Sequence, residues 1–260
     1  MRQSAEPINW YGTYILSLKE IKRFLRVYHQ TVIAPAISAL IFLAVFVLAL
    51  GGKVHNIGGV KFINFMGYGL IIMTIVQNAF SNSSSSIIMS KVIGYIADIL
   101  VPPFGGIELV IAFTIGSIFR GIIVGLFVTL FISPFVEFTV YHPGLLIFFT
   151  LFSCIMLGLL GLLTGLISRS FDENAAITSY IITPLSFLSG TFYSIENLPS
   201  FLKSINHFNP FFYMIDGFRY CLTNYADSNI TLGIIILITV NVILFTTITW
   251  LLNIGWRIKE

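Results

Sequence analysis

PLSFLSGTFYSIENLPSFLKSINHFNPFFYMIDGFRYCLTNY, residues 184–225, is too polar to cross a membrane as a helix and too apolar for an ordinary loop. A long apolar run breaks at Pro184 and Gly190, and another begins soon after Tyr225. Pro199 and Pro210 each stand where a helix can start, with Asn197 and Asn209 just upstream as capping residues. Phe201, Leu202, Ile205 and Phe208 recur at helical spacing, and so do Phe211, Met214, Ile215, Phe218 and Leu222. Asp216, Arg219 and Thr223 mark the other face of the second helix. Two short amphipathic helices in tandem between apolar runs predict a re-entrant hairpin over 193–225.

Working outward, composition fixes the setting. Hydrophobic residues make up 57% of the 260, and charged residues 10%. Soluble domains carry ~45–50% and ~25%, so the chain reads as an all-α integral membrane protein, its apolar runs long enough for helices. The net charge of +3 is too small to point to nucleic acid. Cys154 and Cys221 fit no metal or redox spacing and read as packing residues. The first 20 residues lack the basic-then-apolar order of a cleavable signal peptide, so insertion is expected to rely on the first span.

Six transmembrane helices are expected, at 31–50, 62–80, 107–133, 144–168, 175–192 and 230–254, within one membrane domain. An interfacial helix, 10–30, precedes them. Its stripe of Trp10, Tyr14, Leu18, Ile21, Leu25 and Tyr28 suits the bilayer edge, and Lys19, Lys22, Arg23 and Arg26 suit anionic headgroups. Residues 51–61 read as a turn. Ser81–Gly106 reads as the longest interruption of the first half, with a polar run and a mixed helical segment, Ile87–Val101, ending at Pro102-Pro103. In that segment Ile88, Val92, Ile96, Ile99 and Leu100 face one way and Lys91, Tyr95 and Asp98 the other, which fits either a solvated helix or a knob docking on a partner.

Six spans put both termini on one side. That side collects nine basic residues (Arg2, Lys19, Lys22, Arg23, Arg26, Lys91, Arg169, Arg257, Lys259) against four on the other (Lys53, Lys61, Lys203, Arg219). The richer side is expected to be cytoplasmic, which puts the hairpin on the outer face.

Chemistry-bearing motifs are few. No phosphate-cradling G-x-x-x-x-G-K-[ST] occurs, no H-E-x-x-H, and the four histidines are scattered. Arg120, at the middle of the third span, must face protein or a wet cavity. Either it holds the bundle together, bonded to carbonyls or to Gln77 or Asn241, or it lines a path for an anionic headgroup. Gly121 and Gly125 beside it, and Gly158, Gly161 and Gly165 in the fourth span, read as close-packing faces.

Two stretches carry a family resemblance. IADILVPPFGGIELVIAFTIGSIFRGIIVG (96–125) is similar to a coupling helix ending at Pro-Pro, followed by a Glu that opens the third span and then an Arg-Gly. Residues 184–220 are similar to an apolar span, Gly-x-Phe, Leu-Pro and Asn-Pro-x-x-Tyr-x-x-Asp-x-x-Arg, the last carried here by Asn209, Pro210, Tyr213, Asp216 and Arg219. Together, in this order, they resemble the permease subunit of ABC type-2 transporters over essentially the whole chain. The resemblance implies a permease homodimer in a bacterial plasma membrane and an exporter's transport subunit rather than an enzyme. It implies no cofactor on this chain, with ATP and Mg held by a separate ATP-binding subunit. It implies ATPase coupling through the segment bearing Lys91, Tyr95 and Asp98, and an outer gate at Asn209–Arg219. Short connections and an apolar interior suggest a lipid-like substrate, with a glycan or drug as alternatives. A carrier or channel driven by ions is the competing reading, but it would normally need acidic residues inside the spans.

Overall fold

The computed structural model describes residues 9–50, 56–96, 104–195 and 199–255. Helix α1, Trp10–Leu25, starts at Asn9, whose side chain accepts from the Gly12 N–H at 2.9 Å. Its expected apolar stripe stays open: Trp10 is 62% and Tyr14 59% exposed, while Thr13, Leu16, Ser17, Glu20 and Phe24 are the buried face. A π-helical turn, His29–Ile33, leads into α2, Ala34–Leu50. A second π turn, Thr178–Ile182, joins α6, Phe171–Ile177, to α7, Thr183–Leu188. Each π turn ends two residues before a proline, Pro35 or Pro184. A proline ring collides with the carbonyl four residues back and offers no N–H to it, so the wider turn relieves both problems at once.

Helix α3, Phe62–Ile93, is the core of the molecule. Its 32 residues span about 48 Å. In its most apolar stretch 83% of residues are buried, against 22% for the first span and 17% for the last. Around it stand α4, Gly106–Ile132, α5, Pro143–Ile167, and α10, Ile230–Asn253. The expected segments 107–133, 144–168 and 230–254 fall on these three helices. The glycine faces let α3 in close: a Cβ on Gly161 would sit 2.2 Å from the Phe80 carbonyl oxygen, and one on Gly125 2.5 Å from Ile75.

Three expectations change. The polar run Ser81–Ser86 does not open a loop but lies inside α3, with Asn82, Ser83, Ser84 and Ser86 buried, because its hydroxyls bond within the protein. Ser81 donates to the Gln77 carbonyl at 2.8 Å and Ser86 to Glu20 at 2.9 Å. The part of the Ile87–Val101 segment up to Ile93 therefore continues α3, which ends at Gly94 with φ +90°, and residues 97–101 of it lie outside the described residues. Of the 51–61 turn, the described part is a two-stranded hairpin, β1 (Asn56–Ile57) and β2 (Val60–Lys61), antiparallel about Gly58 and Gly59.

The fifth expected span, 175–192, is the broken stretch α6–π–α7 over 171–188. Among the described residues five helices are long and apolar enough to cross a membrane, and this stretch is not one of them. The chain is therefore all-α in its spans and multi-pass. Two further helices, α8 (Ser200–His207) and α9 (Pro210–Thr223), separate α7 from α10.

Candidate functional site

The Asn-Pro-x-x-Tyr-x-x-Asp-x-x-Arg residues come together as a clasp around α9. Asn209 caps α9, its Oδ1 accepting from the Phe211 N–H at 3.0 Å, while its Nδ2 donates to Ser189 Oγ at 2.8 Å. Pro210 takes the first helical position, where no N–H is needed. Tyr213 donates its hydroxyl to the His207 carbonyl at 3.0 Å, tying α9 back to α8. Asp216 accepts from the N–H groups of Asp227 and Ser228, both at 2.9 Å, and from Ser228 Oγ at 2.6 Å. Arg219 donates to the Gly190 carbonyl at 2.7 Å and lies 3.6 Å over the Phe65 ring of α3.

Three apart on the polar face of a short helix, Asp216 and Arg219 have the spacing of a local surface pair, and the structure does not make one. Both are 1% exposed, they form no ion pair, and each grips a different backbone segment. α9 is buried from Phe211 to Arg219 because α3, α5, α7 and α10 surround it, so its polar residues point at chain carbonyls and N–H groups rather than at water. Burial raises the Asp216 carboxyl above its ordinary range against the pull of Ser228 and the Asp227 N–H. Burial also lowers the Arg219 guanidinium to about 10, against the opposing charges of Asp216 and Asp227.

The second assembly is a polar ladder along α3. Arg120 donates to Asn78 Oδ1 at 3.1 Å. One turn on, Arg23 of α1 donates to the Asn82 carbonyl at 2.7 Å and to its Oδ1 at 3.1 Å, and pairs with Glu20 at 3.1 Å. Asn78 and Gln77 line a cavity of about 320 Å³ between α2, α3 and α7, with Ser38, Phe42 and Phe187. Arg120 lines a different cavity of about 650 Å³, against α1. The Arg120–Asn78 bond thus joins the walls of two cavities. Neither expected partner holds the arginine, and Asn241 is not part of this assembly: it donates to the carbonyls of Phe152 and Leu237, at 3.1 and 2.8 Å, between α10 and α5.

Comparison with known proteins gives the chain its family. Residues 11–223 match the family model of the ABC-2 type transporter. The chain is 32% identical over 244 residues to the inner membrane transport permease YadH of Escherichia coli K12, covering 93% of this chain and 94% of that one. The YadH permease of Shigella flexneri matches to the same extent. The chain belongs to the ABC-2 type transporter family. It is a membrane permease of that family, a transport subunit and not an enzyme.

In this permease Lys91 caps a helix: its Nζ donates to the carbonyls of Leu166 and Ser168, at 2.8 and 2.6 Å, at the C-terminus of α5. Tyr95 lies under the Lys19 ammonium, 5.1 Å from ring centroid to Nζ, and burial raises its hydroxyl above its ordinary value with Glu20 nearby adding to the rise. Asp98 lies outside the described residues. Among the described residues no group of three or more His, Cys, Asp or Glu could hold a metal ion.

Glu108, the Glu at the opening of the third span, joins the start of α4 to that of α1, accepting from the Asn9 N–H at 2.5 Å. Other working residues escaped the sequence reading. Asp227 accepts from Ser194 and Tyr225, at 2.8 and 2.7 Å, beside the clasp. Asn78, Asn82 and Ser86 were legible in principle, since polar residues four apart on a buried helix mark one facing partner.

Proposed function

We propose that the chain is the membrane half of an ATP-driven exporter, working as a homodimer in a bacterial plasma membrane with both termini cytoplasmic. A separate ATP-binding subunit, carrying ATP and Mg, docks on the 87–101 segment beside Lys91, Tyr95 and Asp98. Its closure is transmitted along α3 and opens a path outward past the clasp of Asn209, Pro210, Tyr213, Asp216 and Arg219, which acts as the outer gate of a re-entrant hairpin. The substrate is lipid-like or amphipathic before it is a glycan or drug.

One observation carries this reading. α3 holds two specialised ends: the clasp packs at Phe65–Gly69 and α1 at Asn82–Ser86. Gly69 and Ser86 are about 26 Å apart along the axis. One rigid helix touching both ends is suited to passing a displacement from one face of the membrane to the other. The polar mouth of the α2–α3–α7 cavity supports the homodimer, because polar groups at membrane depth need protein or water over them.

The test is co-expression of the chain with the ATP-binding protein encoded beside it, followed by reconstitution of the complex. Co-purification and lipid-stimulated ATP hydrolysis are expected. Failure of any ATP-binding subunit to co-purify, with ion flux through the permease alone, would sink the reading in favour of an ion-driven carrier.

A further inference from the structure

We propose that the cavity enclosed by α1, α3 and α4 is a binding site for the phosphate of an anionic membrane lipid, with Arg120 as its inner contact and Lys22 and Arg26 at its rim. The cavity measures about 650 Å³, within the range that encloses a headgroup-sized ligand, ~300–1,000 Å³.

Its lining is strongly one-signed. Lys19, Lys22, Arg23, Arg26 and Arg120 all face it. Among the described residues Glu20 is the carboxylate beside them, and it is committed elsewhere, pairing with Arg23 and accepting from Ser86. Lys22, Arg26 and Arg120 have no carboxylate within ion-pair distance among the described residues. Arg120 gives its Nη2 to Asn78, while its Nη1 makes no hydrogen bond and is not among the buried donors. A guanidinium with a donor to spare inside a ring of cations is matched by an oxyanion with several acceptor oxygens, which phosphate supplies.

The remaining lining selects a lipid over a free anion. Ile15, Leu18, Phe24, Val27 and Met89 add an apolar wall, with Thr31 and Tyr95 beside them, and Ile15, Val27 and Met89 are 40–50% exposed. The outer stripe of α1, with Trp10 and Tyr14, continues the apolar surface. Cations sharing one lining with apolar side chains are the pattern an amphiphile's headgroup and glycerol backbone complement. The site rests on the membrane reading of the chain but not on export, so it is testable without any ATP-binding partner.

The experiment is native mass spectrometry of the purified permease exchanged into detergent with phosphatidylglycerol or phosphatidylcholine. Wild type is expected to retain phosphatidylglycerol about tenfold better than phosphatidylcholine, and Lys22→Gln/Arg26→Gln and Arg120→Gln are each expected to lose about that preference. The rim pair is exposed and outside the packed core, so it carries the test alone if Arg120→Gln fails to fold. A control pair at other positions, Lys61→Gln/Lys203→Gln, is expected to retain lipid as wild type does. Equal retention of the two lipids, or equal loss in the control pair, would overturn the site. Displacement of phosphatidylglycerol by millimolar inorganic phosphate would overturn the lipid as its source.

Discussion

At the scale of single residues, Arg219 shows how position outweighs spacing. Asp216 and Arg219 stand three apart on α9, the separation of an ion pair on a helix surface, yet each is taken by backbone of a different loop. Arg219→Ala would remove a charged donor from the Gly190 carbonyl and should cost about 1.5–3 kcal/mol of stability, read as a lower midpoint in thermal size-exclusion assays. Reversing both charges, Asp216→Arg with Arg219→Asp, should give no rescue over the singles; recovery of the wild-type midpoint would show that the two act as a pair. The motif itself was legible, because Asn, Pro, Tyr, Asp and Arg are chemically distinct letters. Its partners were not, since the carbonyls of Gly190 and His207 carry no signature in a sequence. Glu137 makes a complementary case at the surface. The Lys61 ammonium, 2.6 Å away, holds its carboxyl below the ordinary value of 4.5. A carboxyl lowered in the folded state stabilises it above the unfolded titration and loses that contribution as pH falls through the folded value. Lys61→Gln should therefore lower the thermal midpoint slightly at neutral pH and leave it unchanged in acid well below the carboxylate range.

At the scale of elements, α3 decides the molecule, and it was the element most misjudged from sequence. A run of Ser and Asn reads as a loop because in water those side chains compete with the helix for backbone bonds. Buried against α1 and α4, they find Arg23, Glu20 and Ser117 instead, and the helix continues. The apolar helices α4, α5 and α10 were legible because nothing in them competes with a spanning helix. The glycine faces were legible too, and their packing predicts a steric cost. Gly161→Leu must push α5 off the Phe80 carbonyl and should destabilise by roughly 1–3 kcal/mol or more, whereas Gly144→Leu, with open space around it, should leave the midpoint unmoved. Lys91 separates structure from coupling at the same scale. As a cap on α5 it should matter in the permease alone: Lys91→Met is expected to lower stability by about 0.3–2 kcal/mol without any ATP-binding subunit present. An unchanged midpoint, with loss only of partner-stimulated hydrolysis, would assign the lysine to coupling.

At the scale of the whole molecule, the proposed homodimer turns on which face a second copy would cover. α2 and α10 both expose long apolar surfaces, as with Leu48 at 86% and Trp250 at 61%, and apolar exposure alone is satisfied by lipid tails. The α2–α3–α7 face differs because Ser38 and the Gln77 amide open there beside Phe42 and Phe187, while the Thr74 and Ser81 hydroxyls are bonded back to the Leu70 and Gln77 carbonyls. Hydroxyl and amide groups facing hydrocarbon are unfavourable, while the same groups facing a copy of themselves across a two-fold axis enclose a wet, partly aromatic chamber. The homodimer should therefore form through this face, leaving α10 on the lipid. Cys154 and Cys221 are fully buried and should stay silent to mild oxidation, so single added cysteines report cleanly. Ser38→Cys is expected to cross-link to its counterpart in membranes, and Trp250→Cys is not. Cross-linking through position 250 with none at 38 would turn the dimer around, place the polar chamber against lipid, and leave no polar path between two protomers.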